Sequence, residues 1–206
     1  TGKSDSGFVT PIISIDSIEY YPSKIDTVLH LFFYKIPPFE NSFTIRWETD
    51  SGNHFTLTGI WLGNAKPGIT FHSVGVNGAS VPSYLNCENF ERDLDIINPD
   101  MVIFGIGIND AFDDKFDTLD FEQNYLELIE KFQRFNPHCA FVFLTNNDSY
   151  KRVKRGKYAV NKNGELARKV FYRLAARTGG AVWDQFEIVG GLRSMYKWET
   201  HGLAKK

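Results

Sequence analysis

No apolar run in this chain approaches the roughly 18 to 20 residues that a helix needs to cross a bilayer, so no transmembrane segment is expected. An excess of one charge is missing too: 23 Lys and Arg stand against 25 Asp and Glu, a formal net charge of -2. Nothing in that balance draws the chain to nucleic acid or an anionic membrane surface, and nucleic acid is not an expected partner. Cysteine is scarce, with only Cys87 and Cys139, and the two lack metal-ligand spacing. They read either as one disulfide or as two free, partly buried thiols, the second being the expectation. His30, His54, His72 and His138 are scattered with no carboxylate or cysteine at ligand spacing, so neither a metal nor another cofactor is expected. The opening residues, Thr1 to Gly7, have no signal-peptide core, and a start at Thr leaves any targeting segment unread.

What is present suffices for a folded core: 42% of the 206 residues are hydrophobic and 15% aromatic, enough for one large domain or two small ones. The patterning changes near residue 70, giving an expected boundary between 1–70 and 71–206. From Phe8 to about Phe71 period two dominates, with Leu29, Leu31 and Phe33 alternating with His30, Phe32 and Tyr34, then Phe43, Ile45 and Trp47 with Thr44 and Arg46. Asp50-Ser51-Gly52-Asn53 supplies a turn before Phe55, Leu57 and the run Ile60 to Leu62. Pro37-Pro38, Gly59, Gly63 and Pro67-Gly68 punctuate the region, and no helical stretch is long enough to connect parallel strands. An antiparallel module resembling a β-sandwich or jelly roll is expected.

After Gly68 short apolar strands alternate with helical periodicity, the mark of a parallel α/β sheet. The expected elements are a strand over Ile69 to Val76, a helix over Val81 to Ile97 and a buried strand over Met101 to Ile108. Next is a helix carrying Phe121, Tyr125, Leu128, Ile129 and Phe132, ended by Asn136-Pro137. Then come a strand over Ala140 to Thr145, a helix over Gly164 to Arg177 and a strand from Ala181. Open parallel sheets place their ligand crevices at the C-terminal ends of the strands. Two such ends carry chemistry: Ser73-Val74-Gly75-Val76-Asn77-Gly78-Ala79-Ser80, where Gly78 lets a backbone N–H face a ligand closely, and Gly105-Ile106-Gly107-Ile108-Asn109-Asp110, where an amide side chain can donate into the same crevice. Each alone reads as an ordinary turn.

Taken together and in this order, they resemble the SGNH hydrolases, also called GDSL-like lipases and acylhydrolases. The resemblance sets Gly75-Val76-Asn77-Gly78 against that family's second block and Gly107-Ile108-Asn109-Asp110 against its third. It implies a three-layer, flavodoxin-like parallel sheet, here partial. It also implies that the Gly78 N–H and the Asn109 side chain form the oxyanion hole, with Asn77 and Asp110 as substrate-binding candidates; Trp198 joins them because it lies in a Gly-rich, irregular stretch expected near the site. Leu144 to Tyr150, Ala181 to Asp184 and the tail from Gly190 to Ala204 look like a Bacteroidetes-like branch of polysaccharide or peptidoglycan O-acetylesterases. The first block, Gly-Asp-Ser, is not matched by Ser4-Asp5-Ser6-Gly7, and no Asp-x-x-His occurs. The nucleophile and the general base are therefore absent from these residues, and negligible hydrolysis is expected of them alone. Relatives that modify polysaccharides carry a β-module between their first and second blocks, which would account for residues 8–71.

By this resemblance the partner is an acylated glycan or a small ester, and the location is periplasmic, secreted or at the cell envelope. The alternative is a non-catalytic glycan-binding module or pseudoenzyme. Ser73, Ser80 and His201 are poor substitutes for a triad, because turn serines usually bond to backbone and a histidine near a chain end is usually solvated. Lys151-Arg152-Val153-Lys154-Arg155-Gly156-Lys157-Tyr158 reads as a basic, solvated loop near the crevice. Asp184 reads equally as a crevice residue or a helix cap.

Overall fold

A computed structural model describes residues 2–4, 9–38, 42–47, 55–64, 66–155 and 157–204. Phe8, the Asp5-Ser6-Gly7 segment and the expected turn at Asp50 to Asn53 lie outside the described residues. The chain divides into two compact units, Thr1–Phe71 and His72–Lys206.

The first unit is built of short antiparallel strands. β2 (Ile12–Ile15) pairs with β3 (Ile18–Tyr20) on one side and β6 (Thr44–Arg46) on the other. β4 (Lys24–Asp26) pairs with β5 (Leu31–Phe33), and β1 (Gly2–Ser4) with β7 (Phe55–Leu57). The alternation expected of these segments is seen in β2, where Ile13 and Ile15 are buried while Ile12 and Ser14 are only half-covered. Arg46 and Glu19 form an ion pair across the sheet, and the Tyr34 hydroxyl donates to the carbonyl of Pro11. Ile60 to Leu62 lies outside any strand and is exposed.

The second unit holds a three-stranded parallel sheet in the order β12 (Ala181–Trp183), β9 (Ala140–Leu144), β8 (Met101–Phe104). Its two long helices are α4 (Thr118–Phe135) and α5 (Asn163–Thr178), which lie against each other. The side chain of Asp117 accepts from the N–H groups of Leu119 and Asp120 and so starts α4, while Gly179 in the left-handed conformation ends α5. The sheet is asymmetric. Phe104, Phe141 and Phe143 point into a core shared with Tyr125, Leu128, Phe171 and Leu174, whereas Met101, Ile103 and Trp183, on the opposite pleat, are exposed. Phe143 stacks on Phe104 with ring centroids 5.4 Å apart, and Tyr125 meets Phe104 edge-on at the same separation. Such pairs add about 0.5–1.5 kcal/mol each beyond the area they bury.

Three expectations are corrected. Residues 69–76 form no strand: Ile69 is 99% and Phe71 79% exposed, and among the described residues no strand lies along the outer edge of β8 to pair with them. Apolar β-former content does not make a strand without a partner for its backbone groups. The strand expected over Met101 to Ile108 ends at Phe104, because the backbone turns at Gly107 (φ +123°), and β8 is covered on one face only. The helix expected over Val81 to Ile97 is two helices, α1 (Val81–Leu85) and α2 (Phe90–Ile97), interrupted at the polar residues Asn86 to Asn89. Within α2 the face of Phe90, Leu94 and Ile97 packs inward.

Candidate active site

The two motif-bearing segments meet. α3 (Ile108–Ala111) begins directly after Gly107, and its Asn109 side chain donates through Nδ2 to the carbonyl of Ala79 at 2.8 Å. The neighbouring Asp110 accepts from the backbone N–H of Val81, at 3.1 Å on Oδ1 and 3.3 Å on Oδ2. Consecutive residues of one segment thus grip the residues on either side of Ser80. Asn109 is fixed one residue beyond Gly78, which sits at φ +80° in an exposed turn closed by the Ala79 N–H donating to the Val76 carbonyl. An amide nitrogen carries two hydrogens, and the Ala79 carbonyl takes one. The other is left to the exposed side of the site.

Gly107 is required twice over. Its φ of +123° disfavours any side chain, and a Cβ there would come within 2.9 Å of the Phe121 ring and 3.1 Å of the Phe171 ring. Tyr125 supports the same bend by donating its hydroxyl to the carbonyl of Ile106 at 2.7 Å. Burial holds the Tyr125 phenol well above its usual range, and the nearby Asp110 charge adds to the effect. Asp110 itself is raised by burial, against the lowering effect of the backbone N–H groups it accepts from.

The remaining candidates fall into other roles or stand apart. Asn77 is exposed beside Gly78 in the turn. Trp198 lies in α7 (Ser194–Thr200) rather than in an irregular stretch, half-exposed, and its indole N–H donates to the carbonyl of Val189 at 3.1 Å. Asp184 caps α6 (Gln185–Ile188), accepting from the Glu187 N–H. It also accepts from Arg168, Tyr172 and Thr145. Burial would raise its carboxyl, but these donors, Arg168 foremost, outweigh it and bring the pKa to about 2. Ser80 belongs to the start of α1, where its N–H donates to the Ser83 hydroxyl at 3.1 Å. The His201 ring lies 2.7 Å from the Lys197 carbonyl at the end of α7. No His/Cys/Asp/Glu cluster fit for a metal occurs among the described residues. Cys139 is buried, Cys87 is exposed, and both are free.

Sequence reasoning missed the polar network beyond β9. Thr145 passes a hydrogen bond from the Phe186 N–H on to Asp184, and buried Asp148 accepts from the Met195 N–H at the start of α7. Asn146 Nδ2, Asp148 Oδ1 and Ser194 Oγ are buried with no hydrogen-bond partner among the described residues. The polar run Thr145-Asn146-Asn147-Asp148 at a strand end was the available signal, but nothing in one dimension pairs it with Asp184 or Ser194. The basic run 151–158 is likewise a β-hairpin rather than a loop, β10 (Tyr150–Lys154) against β11 (Lys157–Val160).

The model of the GDSL-like lipase/acylhydrolase family matches residues 41–201. The chain belongs to that family. Its parallel sheet is accordingly the flavodoxin-like SGNH sheet. Among solved structures it is similar to a peptidoglycan O-acetylesterase, with 24% identity and a TM-score of 0.55. That match covers 63% of this chain and 37% of the other, so the chain spans little more than a third of that structure's length. No curated protein sequence matches it significantly.

Proposed function

We propose that these residues are the oxyanion-stabilising part of an SGNH ester hydrolase that removes acyl groups, acetyl foremost, from a carbohydrate or cell-wall glycan. The observation that carries this reading is the Asn109–Ala79 hydrogen bond, which holds an amide donor beside the Gly78 turn. In ester cleavage negative charge develops on the carbonyl oxygen. In this reading the free N–H of Asn109 and the backbone N–H of Gly78 receive it, and one such donor is worth roughly 2.7–4 kcal/mol of barrier. Asp110 sets the position of Asn109 by holding Val81, and Asn77, exposed in the same turn as Gly78, contacts the acyl or sugar group. The attacking serine and the Asp-x-x-His pair are not among these 206 residues, so the chain alone does not turn over ester. The likeness to a peptidoglycan O-acetylesterase favours a glycan acetate as substrate and a periplasmic or envelope location.

The test is hydrolysis of 4-nitrophenyl acetate by the full-length gene product, wild type against Asn109→Ala. A fall of roughly 10²–10³-fold in kcat is expected. Unchanged turnover in Asn109→Ala would refute the role given to Asn109, and absence of turnover in the wild type would leave a non-catalytic, glycan-binding module as the better account.

A further inference from the structure

The hairpin after β9 carries charge that the fold itself does not use. Along its ladder Arg152 faces Tyr158 and Lys154 faces Lys157, with Arg155 directly after Lys154. Like charges set directly opposite each other in an antiparallel pair destabilise it. Among the described residues none of Arg152, Lys154, Arg155 and Lys157 has an ion-pair partner, although the chain as a whole is slightly acidic. Lys151 behaves differently, donating to the Asp113 carbonyl at 3.0 Å and reaching Asp114 at 3.4 Å.

That bond is one of several that fix the hairpin's base to the end of α3. Asn161 and Asn163 both donate to the carbonyl of Ala111, at 3.0 and 3.1 Å, and Asn163 also donates to that of Asp113. Ala111 is two residues beyond Asn109, so the basic hairpin is anchored to the segment that bears the amide donor. Lys151 and Ala159 occupy the pleat turned toward Asp113. Arg152 and Tyr158 share the opposite pleat, where Tyr158 is 56% exposed. A guanidinium beside an open aromatic face suits a ring-shaped ligand that carries acid groups.

We infer that the hairpin β10–β11 is a binding arm for an anionic polysaccharide, its cations pairing with sugar carboxylates and Tyr158 stacking on a sugar ring, so that the ester presented to Asn109 belongs to an acidic glycan. That the glycan carries the ester to be cleaved rests on the ester-hydrolase reading; its binding to the hairpin does not.

The experiment measures the affinity of the 206-residue chain for an oligogalacturonate and for a neutral oligogalactan of equal length, at low and high salt. Wild type binds the uronate more tightly, and the preference shrinks as salt rises. The combined variant Arg152→Gln, Lys154→Gln, Arg155→Gln, Lys157→Gln loses at least about tenfold in uronate affinity and keeps its weak affinity for the neutral oligomer. Tyr158→Ala weakens both. Arg155→Glu alone reproduces the uronate loss should the combined variant not fold. Equal uronate affinity in wild type and variants overturns the proposal, as does tighter binding of single-stranded DNA or phosphatidylglycerol vesicles than of the uronate. In the full-length gene product, hydrolysis of the small neutral ester 4-nitrophenyl acetate is untouched by the hairpin variants and lost in Asn109→Ala. Loss of that hydrolysis in the hairpin variants with uronate affinity intact overturns the arm, whereas a wild type without esterase activity overturns only the hydrolase reading, and activity undiminished in Asn109→Ala only the role of Asn109.

Discussion

The side-chain amide of Asn109 is held by the main-chain carbonyl of Ala79 at 2.8 Å, which fixes which of its ends is nitrogen and leaves one N–H uncommitted. Asn109→Asp replaces that donor with an acceptor facing a carbonyl oxygen. The variant is expected to lose at least as much kcat as Asn109→Ala in the full-length gene product and to lose more thermal stability than it does. Differential scanning calorimetry beside steady-state kinetics on both variants checks this.

Gly107→Ala should be costly in a way its small size conceals. The added methyl meets the Phe121 and Phe171 rings while the backbone sits at φ +123°, combining overpacking with strain at about 1–3 kcal/mol each. Urea unfolding should show a loss of about 2–6 kcal/mol. A change below about 1 kcal/mol would mean that the bend before Asn109 relaxes freely.

Asp184 ties acid stability to one network. Its folded pKa of about 2 lies below the ordinary 3.8, so its contribution is present above about pH 4 and is lost as pH falls through about 2. The shift corresponds to at most about 2 kcal/mol. Asp184→Asn should lower stability at pH 7 and flatten its dependence between about pH 4 and 2, as thermal unfolding over that range would show.

Asp110 runs the other way. Burial raises its pKa, so it favours folding while protonated, and that contribution disappears as pH rises through the folded value. Asp110→Asn keeps an acceptor for the Val81 N–H and removes the buried charge. It should hold or raise stability at pH 7, whereas Asp110→Ala, which loses the acceptor, should cost about 1 kcal/mol. Equal melting temperatures for the two variants would deny Asp110 its role in holding Val81.

Local sequence determined the helices α4 and α5, through the spacing of Phe121, Tyr125, Leu128 and Ile129 and of Val170 and Leu174. It determined the strands β9 and β12, and the two segments that hold Gly78 and Asn109, because periodicity and turn chemistry act over a few residues. Tertiary structure alone decided that residues 69–76 form no strand, since a strand needs a partner edge and β8 offers none among the described residues. It also decided that Asp184 is a cap locked to Arg168, and that the basic run folds back as a hairpin on the end of α3. Those outcomes depend on which distant groups meet, such as Asn161 with Ala111 fifty residues earlier, and no pattern within a short window encodes such a meeting.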